Sequence, residues 1–373
     1  MSRKEPHIAV VSINRDKYSE TFIQNAFDAL PGRKTLLYGG YLPTHFTHDW
    51  RREGSEIPAA KAGFWVKKPQ NEQEQQEYNL RIWLRDHKVD LILANYGPSG
   101  VAMLPVSKVL KLPLIVHFHG YDAYRSDILG SYGREYPALF AACKAVIAVS
   151  ENMQCQLISL GVPPEKVHTY IYGVEESRFM QQPMPDGPMQ FGFVGRFVEK
   201  KSPLLLIEAF ARVHAQLPEV RLRCVGDGEL LEASKALAKQ LGLTHAIEFL
   251  GILPPNAVAE FISRCHVLLL PSQSPASGDS EGTPLAILEA AMAGRPVVTT
   301  RHGGIEAVVT DQVTGLLVQP GDVEGFAVAM LQLATDPDQV KNLGQNAAER
   351  ARRDFGNKSY HQKLIDLIRR WSS

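Results

Sequence analysis

Glu281 and Glu289 enclose seven residues that begin Gly282-Thr283-Pro284-Leu285, and the stretch continues Glu-Ala-Ala-Met-Ala-Gly-Arg-Pro. Thr283 reads as a helix N-cap, Pro284 as the first helical residue, Gly294 as the stop and Pro296 as the residue beyond it. Glu281 then lies in the loop before the helix, with Glu289 about 7 to 8 Å further along its axis. Two carboxylates so placed do not share a helix face. They suit an elongated ligand rich in hydroxyls, since an ionised carboxylate only accepts hydrogen bonds, while the helix amides between them favour an anion. By itself, Glu289 reads equally as a mid-helix glutamate in a salt bridge.

A second constellation is Gly195-Arg196-Phe197-Val198-Glu199-Lys200-Lys201, followed by Ser202 as N-cap and Pro203 as the first residue of a helix carrying Leu204, Ile207, Phe210 and Ala211 on one face. A turn, an arginine and a lysine beside a helix N-terminus fit a diphosphate. Arginine grips phosphate oxygens in bidentate fashion and lysine adds a point charge. The alternative is a solvated basic loop. In the first half, His119 stands in His117-Phe118-His119-Gly120-Tyr121-Asp122, just after an apolar run. A histidine there can hydrogen-bond a hydroxyl or move a proton, or simply satisfy a backbone carbonyl. His117, inside the apolar run, reads as structural, and Asp122 either orients the histidine or caps a helix.

The elements that must hold these residues are read from pattern. Short apolar runs at His7 to Val11, Lys34 to Tyr38, Val89 to Ala94, Pro113 to Phe118, Ala145 to Val149 and Val167 to Ile171 look like buried parallel strands, with helix-like stretches such as Glu74 to His87 between them. The pattern restarts at Met189 to Val194, Arg221 to Val225, Ile247 to Leu250, Val267 to Leu270 and Pro296 to Thr299. Between the halves, Gln181 to Pro188 holds three prolines and a glycine and reads as a linker. The expectation is an α/β chain of two doubly wound, Rossmann-like domains facing across a cleft. The N-terminal domain covers 1–180, the linker 181–188, the second domain 189–355 and a C-terminal helix 356–373. Closure is expected about the linker. Ligands of such sheets bind at the carboxyl ends of the strands, where the 195–201 turn and His119 fall.

Composition excludes several classes. The 373 residues carry 40 Lys+Arg against 40 Asp+Glu, so no bulk charge recruits nucleic acid. The cysteines Cys143, Cys155, Cys224 and Cys265 lack zinc spacing and read as buried free thiols of a reducing compartment. No apolar run reaches the roughly 20 residues of a membrane helix, and no signal-peptide core precedes His7. A cytoplasmic protein is expected, with at most peripheral contact at the inner face of the plasma membrane. The amphipathic stretch Tyr360 to Trp371 either touches that membrane or simply packs. Asp336-Pro337-Asp338 is read as a helix cap and not a metal pair. Gly226-Asp227-Gly228-Glu229, lacking the third glycine of a dinucleotide fingerprint, is read as a turn lining a base pocket.

Taken together, the 281–296 stretch, the 195–201 turn, Ser150-Glu151, Tyr172-Gly173-Val174-Glu175 with Phe179, Gly303-Gly304-Ile305-Glu306 and Thr314-Gly315-Leu316-Leu317-Val318 resemble, in order, the landmarks of the retaining glycosyltransferases of family 4, which have the GT-B fold. The resemblance covers essentially the whole chain. The stretch Ser19-Glu20-Thr21-Phe22-Ile23, where many members carry two glycines, is similar to bacterial exopolysaccharide and lipopolysaccharide enzymes; Ser19 or Thr21 also suits a plain N-cap. The resemblance implies that Arg196 and Lys201 meet a donor diphosphate, Glu281 the transferred sugar, Glu289 the ribose, and His119 the region of the anomeric carbon. Gly195, Gly282, Thr283, Pro284 and Leu285 would complete the donor site, with 189–355 as the nucleotide-sugar-binding domain, 1–180 as the acceptor-side domain and the helix 356–373 crossing back to the N-terminal domain. It further implies retention by same-face attack, a nucleotide-sugar donor (UDP-hexose by default), a glycan or lipid-linked acceptor, no metal and no other cofactor. No nucleophile pair for a double displacement is visible. A soluble acceptor, a nucleotide-sugar epimerase or hydrolase, and a non-catalytic nucleotide-sugar-binding subunit are the alternatives.

Overall fold

The computed structural model describes residues 5–18, 20–60 and 69–372. The chain divides into two compact units: residues up to Tyr170 together with those from His361 form the first, and Ile171–Tyr360 the second.

The first unit contains β1 (His7–Val11), β2 (Arg33–Tyr38), β3 (His45–Thr47), β4 (Ser55–Glu56), β5 (Leu91–Asn95), β6 (Leu114–His117), β7 (Ala145–Ala148) and β8 (Val167–Thr169), in the spatial order β4-β3-β2-β1-β5-β6-β7-β8. From β2 to β8 across the sheet every pairing is parallel, while β3 and β4 add an antiparallel edge. The β1, β5, β6 and β7 strands are buried along their whole length, as strands covered by helices on both faces must be. The helix Glu72–Asp86 buries Leu80, Trp83 and Leu84 on one stripe, and Asn71 caps it by accepting the Glu74 N–H at 2.9 Å. The edge strands β3 and β4 escaped the sequence reading because His45-Phe46-Thr47 and Ser55-Glu56 are too short and polar to show a period.

The second unit contains β9 (Gln190–Val194), β10 (Arg221–Val225), β11 (Ile247–Gly251), β12 (Val267–Leu270), β13 (Val297–Thr300) and β14 (Gly315–Val318), all parallel, in the order β11-β10-β9-β12-β13-β14. This is the doubly wound dinucleotide-fold order. In both sheets the chain winds outward one way, then returns to wind the other way. The crevices therefore open at the carboxyl ends of β1 and β5 in one unit, and of β9 and β12 in the other.

The division of contacts falls at Tyr170/Ile171, ten residues before the Gln181 to Pro188 stretch. That stretch belongs to the second unit because a buried arginine holds it there. Arg295, 1 % exposed, donates through its guanidinium to the carbonyls of Gln182 (3.1 Å), Pro183 (2.9 Å) and Ser263 (2.6 Å) and to Met184 Sδ (3.2 Å). His266 Nε2 adds a bond to the Pro185 carbonyl at 2.9 Å. The proline-rich segment is thus fastened to the second unit, and the division between the units lies before it. The terminal helix Asn357–Trp371 turns Leu364, Leu367 and Ile368 into the interior, so that this apolar face is not available to a membrane. Among the described residues no helix is long and apolar enough to cross a membrane.

Candidate active site

At the end of β9 the chain enters the turn Gly195–Val198 and a single 3-10 turn, Glu199–Lys201, before the helix Pro203–Gln216. The turn is locked against the one after β10. Gly195 N–H donates to the Val225 carbonyl (3.0 Å), Phe197 N–H to that of Asp227 (2.9 Å), and Leu230 N–H to that of Phe197 (2.8 Å). Gly226, at φ +133°, sits so close that a Cβ would lie 1.9 Å from the Gly195 oxygen. The Gly226-Asp227-Gly228 sequence is accordingly a brace for the 195–197 turn. Ser202 stands at the helix N-cap, but in the left-handed region (φ 46°), and its hydroxyl donates to the Glu199 carbonyl instead of capping an amide. Arg196 is exposed and makes none of the ion pairs found among the described residues.

Across the crevice, the loop after β12 carries Glu281, 5 % exposed. Its Oε1 lies 2.7 Å from Lys201 Nζ and accepts the Ser272 hydroxyl at 2.9 Å. Burial alone would push this carboxyl up, but Lys201, Lys200 and the hydrogen bonds outweigh it and hold the group at about 2. The charged form is the stable one, because a buried carboxylate facing an ammonium and a hydroxyl is better solvated than the acid. The backbone of Glu281 is fixed as well: Gly304 N–H donates to its carbonyl (2.9 Å), and its own N–H points at His302 Nε2 (3.4 Å). Gly303, at φ +57°, allows this approach, since a Cβ there would lie 2.4 Å from the Glu281 oxygen.

The helix begins one residue later than expected, at Leu285, with Pro284 as its N-cap; it ends at Met292, and Gly294 (φ +73°) closes it. Thr283 is therefore outside the helix and Pro284 is not its first turn. Glu289 lies on this helix, half-buried, and forms no ion pair among the described residues. Loss of water raises its carboxyl to about 7, against the opposing influence of Arg178.

In the first unit His119 follows β6. Asn95 Nδ2 donates to the Val11 carbonyl at 3.0 Å, so Asn95 Oδ1 faces His119 Nε2 at 2.9 Å as an acceptor. Burial first, and His117 second, hold the imidazole well below its ordinary value. A neutral ring with that partner carries its proton on Nε2, leaving Nδ1 as the accepting nitrogen. Asp122 orients the turn: Oδ1 accepts the N–H of His119 (3.0 Å) and of Gly120 (2.9 Å), and Oδ2 that of Gly97 (3.0 Å). Beside it Tyr96 adopts φ +74°, an uncommon and strained conformation for a tyrosine, and sets its ring 4.8 Å from that of His119. His117, buried, ends β6 and is pushed down to about 3 by desolvation.

Residues 174–350 match the model of the glycosyl transferases group 1, and residues 45–178 that of Glycosyltransferase Family 4. The Salmonella typhimurium protein WcaL, named provisionally as a colanic acid biosynthesis glycosyltransferase, is 32% identical over 284 residues, covering 75% of this chain and 70% of WcaL. The chain belongs to the family 4 glycosyltransferases. The amylovoran biosynthesis glycosyltransferase AmsK of Erwinia amylovora is 29% identical over 286 residues, covering 75% of this chain and 70% of its own. Anabaena HepE in complex with UDP-glucose superposes with a TM-score of 0.78 over 97% of this chain and 99% of that one, at 19% identity, and so shares the GT-B fold.

For this glycosyltransferase the structure brings Gly195, Arg196, Lys201, Glu281 and Gly282 to the β9/β12 crevice of the second unit, with Thr283, Pro284 and Leu285 leading into the helix that bears Glu289. His119 belongs to the β1/β5 crevice of the first unit. Sequence reasoning missed Ser272, His302 and Asp279, which lie on loops without a readable motif. For Ser272 and His302, position directly after the apolar strands β12 and β13 was the available signal. Among the other expectations, Ser19 lies outside the described residues, Thr21 is the first helical residue after Glu20 and not a cap, and Cys155 is exposed while Cys143, Cys224 and Cys265 are buried. Asp336 caps the helix Pro337–Asp354 by accepting the Gln339 N–H at 2.9 Å, as a cap reading requires.

Proposed function

We propose that this glycosyltransferase moves a hexosyl group from a UDP-sugar to a hydroxyl of a glycan or lipid-linked acceptor in bacterial surface polysaccharide assembly, at the cytoplasmic side of the membrane. The names of WcaL and AmsK support the polysaccharide context, and HepE with UDP-glucose supports the donor. The observation that carries the reading is the buried Lys201–Glu281 pair with exposed Arg196 beside it at a doubly wound switch point.

Lys201, held by Glu281, meets the donor diphosphate, and Arg196 closes on it from solvent. Together with the first amides of the helix Leu285–Met292 they meet the negative charge that develops as the bond between the anomeric carbon and the phosphate oxygen breaks. Glu281 accepts from a hydroxyl of the transferred sugar and Glu289 from the ribose. The acceptor oxygen bonds to the anomeric carbon on the face the phosphate leaves, with retention, and its proton passes to the departing phosphate. His119, neutral, lies near the anomeric carbon, where it hydrogen-bonds a sugar hydroxyl or takes part in proton transfer. Charge neutralisation by Arg196 and Lys201 makes a metal unnecessary.

The test is nucleotide release across UDP-, GDP- and ADP-sugars, with and without glycan and lipid-linked acceptors, and with the anomeric configuration of the product read by NMR. Acceptor-dependent UDP release with a retained configuration is expected. Equal release without acceptor would make the chain a hydrolase, donor isomerised without net nucleotide release would make it an epimerase, and full activity in both Arg196→Ala and Glu281→Ala would remove the proposed site.

A further inference from the structure

Next to the Lys201–Glu281 pair lies a second buried pair with no place in the proposed transfer. Lys200 Nζ is 3.1 Å from each carboxylate oxygen of Asp279 and 3.2 Å from the Ser280 carbonyl. The ammonium thus donates to Asp279 Oδ1 and to the Ser280 carbonyl, with Asp279 Oδ2 at ion-pair distance. Lys200 is 8 % exposed and Asp279 equally so. The Lys200 carbonyl also accepts the Gln273 N–H at 2.9 Å, so that this residue touches both ends of the loop leading to Glu281.

Two consecutive lysines on one 3-10 turn are therefore matched to two acids spaced two apart on the facing loop: 200 with 279, and 201 with 281. The matching is not dictated by chemistry, since both ammoniums are alike and Lys200 is near enough to Glu281 to stabilise its charge. Lys201 crosses over Gly195, with Cδ and Cε 3.8 Å from where a Cβ would be, and so reaches the switch-point turn next to Arg196. Pairing of Lys200 with Glu281 would leave the carboxylate on the wrong cation.

We propose that Asp279 is a positioning residue that sequesters Lys200, so that Glu281 pairs with Lys201 and the donor meets Lys201 in its working place. The proposal rests on the donor-site reading of Glu281 and Lys201. Asp279 touches no reacting group; it acts by removing a competitor. Its loss frees a buried ammonium beside the catalytic carboxylate, and a displacement of about 1 Å at such a site is worth about a hundredfold in rate.

The experiment compares Asp279→Leu, Lys200→Met and the double variant Lys200→Met/Asp279→Leu in the full chain, with melting temperature, UDP affinity by calorimetry, and kcat and KM for the donor measured on each. Asp279→Leu is expected to lower kcat by about 30-fold to 100-fold. The double variant, which has no competing lysine, is expected to return to within about threefold of the parent, with a crystal structure of Asp279→Leu showing Lys200 Nζ on Glu281. If Asp279→Leu does not fold, Asp279→Asn carries the same comparison. A double variant as slow as Asp279→Leu would overturn the proposal and leave only a loop staple, as would a parent-like kcat in Asp279→Leu. A severe loss of UDP affinity in Lys200→Met alone would also overturn it, by placing Lys200 on the donor. If Glu281→Ala retains full transfer, the donor-site reading fails; if it abolishes transfer while the Asp279 variants behave as the parent, only the present proposal fails.

Discussion

Lys201 Nζ lies 2.7 Å from Glu281 Oε1, with Glu281 buried and Lys201 largely so at the carboxyl end of the central strands of the second sheet. A cation and an anion so held cost desolvation when made, and leave an uncompensated charge when either is lost. This sets the consequences of substituting them.

Glu281→Ala is expected to reduce kcat by about 100-fold to 1000-fold and to destabilise the second unit by about 3 to 5 kcal/mol, because Lys201 is left buried without its partner. Steady-state kinetics with urea unfolding checks both. Glu281→Ala/Lys201→Met should recover most of the stability and none of the activity.

The depressed value of Glu281, about 2 against an ordinary 4.5, means that its contribution to stability is complete above pH 4.5 and is lost as pH falls toward 2. Glu281→Gln should therefore show a shallower loss of melting temperature than the parent across that window. Parallel curves would show that the carboxylate is not held by its neighbours.

Glu289 has the opposite sign. Its folded value near 7 lies above the ordinary 4.5, so that ionisation opposes folding progressively as pH rises from 4.5 through 7. Glu289→Gln is expected to melt higher than the parent at pH 8 and level with it at pH 4. Nucleotide affinity in the parent should rise with pH through about 7, where the accepting carboxylate forms, and calorimetry on Glu289→Gln should show a flat, weaker profile.

His119 is neutral and its tautomer is set by Asn95. Removing the ring in His119→Ala should cost about 100-fold in kcat, and His119→Gln, which keeps a neutral acceptor, should cost less. Between pH 5 and 8 the parent profile should carry no limb that disappears in His119→Gln.

Arg295→Leu leaves the carbonyls of Gln182, Pro183 and Ser263 without their donor, at about 1 to 3 kcal/mol each. Limited proteolysis should then cut within 181–188, where the parent resists. UDP affinity of the folded fraction should stay unchanged.

Much of this was legible in the amino-acid order. Fully buried parallel strands leave continuous apolar runs, and His7–Val11 and Val267–Leu270 stand at the limits read from sequence. Helix punctuation is local chemistry too, which is why Asp336 as a cap and Gly294 as a stop were readable. The Glu281–Glu289 spacing and the Arg196 to Lys201 turn are contiguous motifs and marked the family.

Tertiary structure alone decided who pairs with whom. Lys200 and Asp279 are 79 positions apart, and no local period distinguishes the lysine that is sequestered from the one that holds Glu281. The same holds for Arg295, on which the carbonyls of Gln182, Pro183 and Ser263 converge and so tie the proline-rich segment to the second unit. Local sequence encodes propensity and period, because these depend on neighbours in the chain. Charge partnership depends on which loops the β9/β12 switch point brings together, and that is a property of the sheet order.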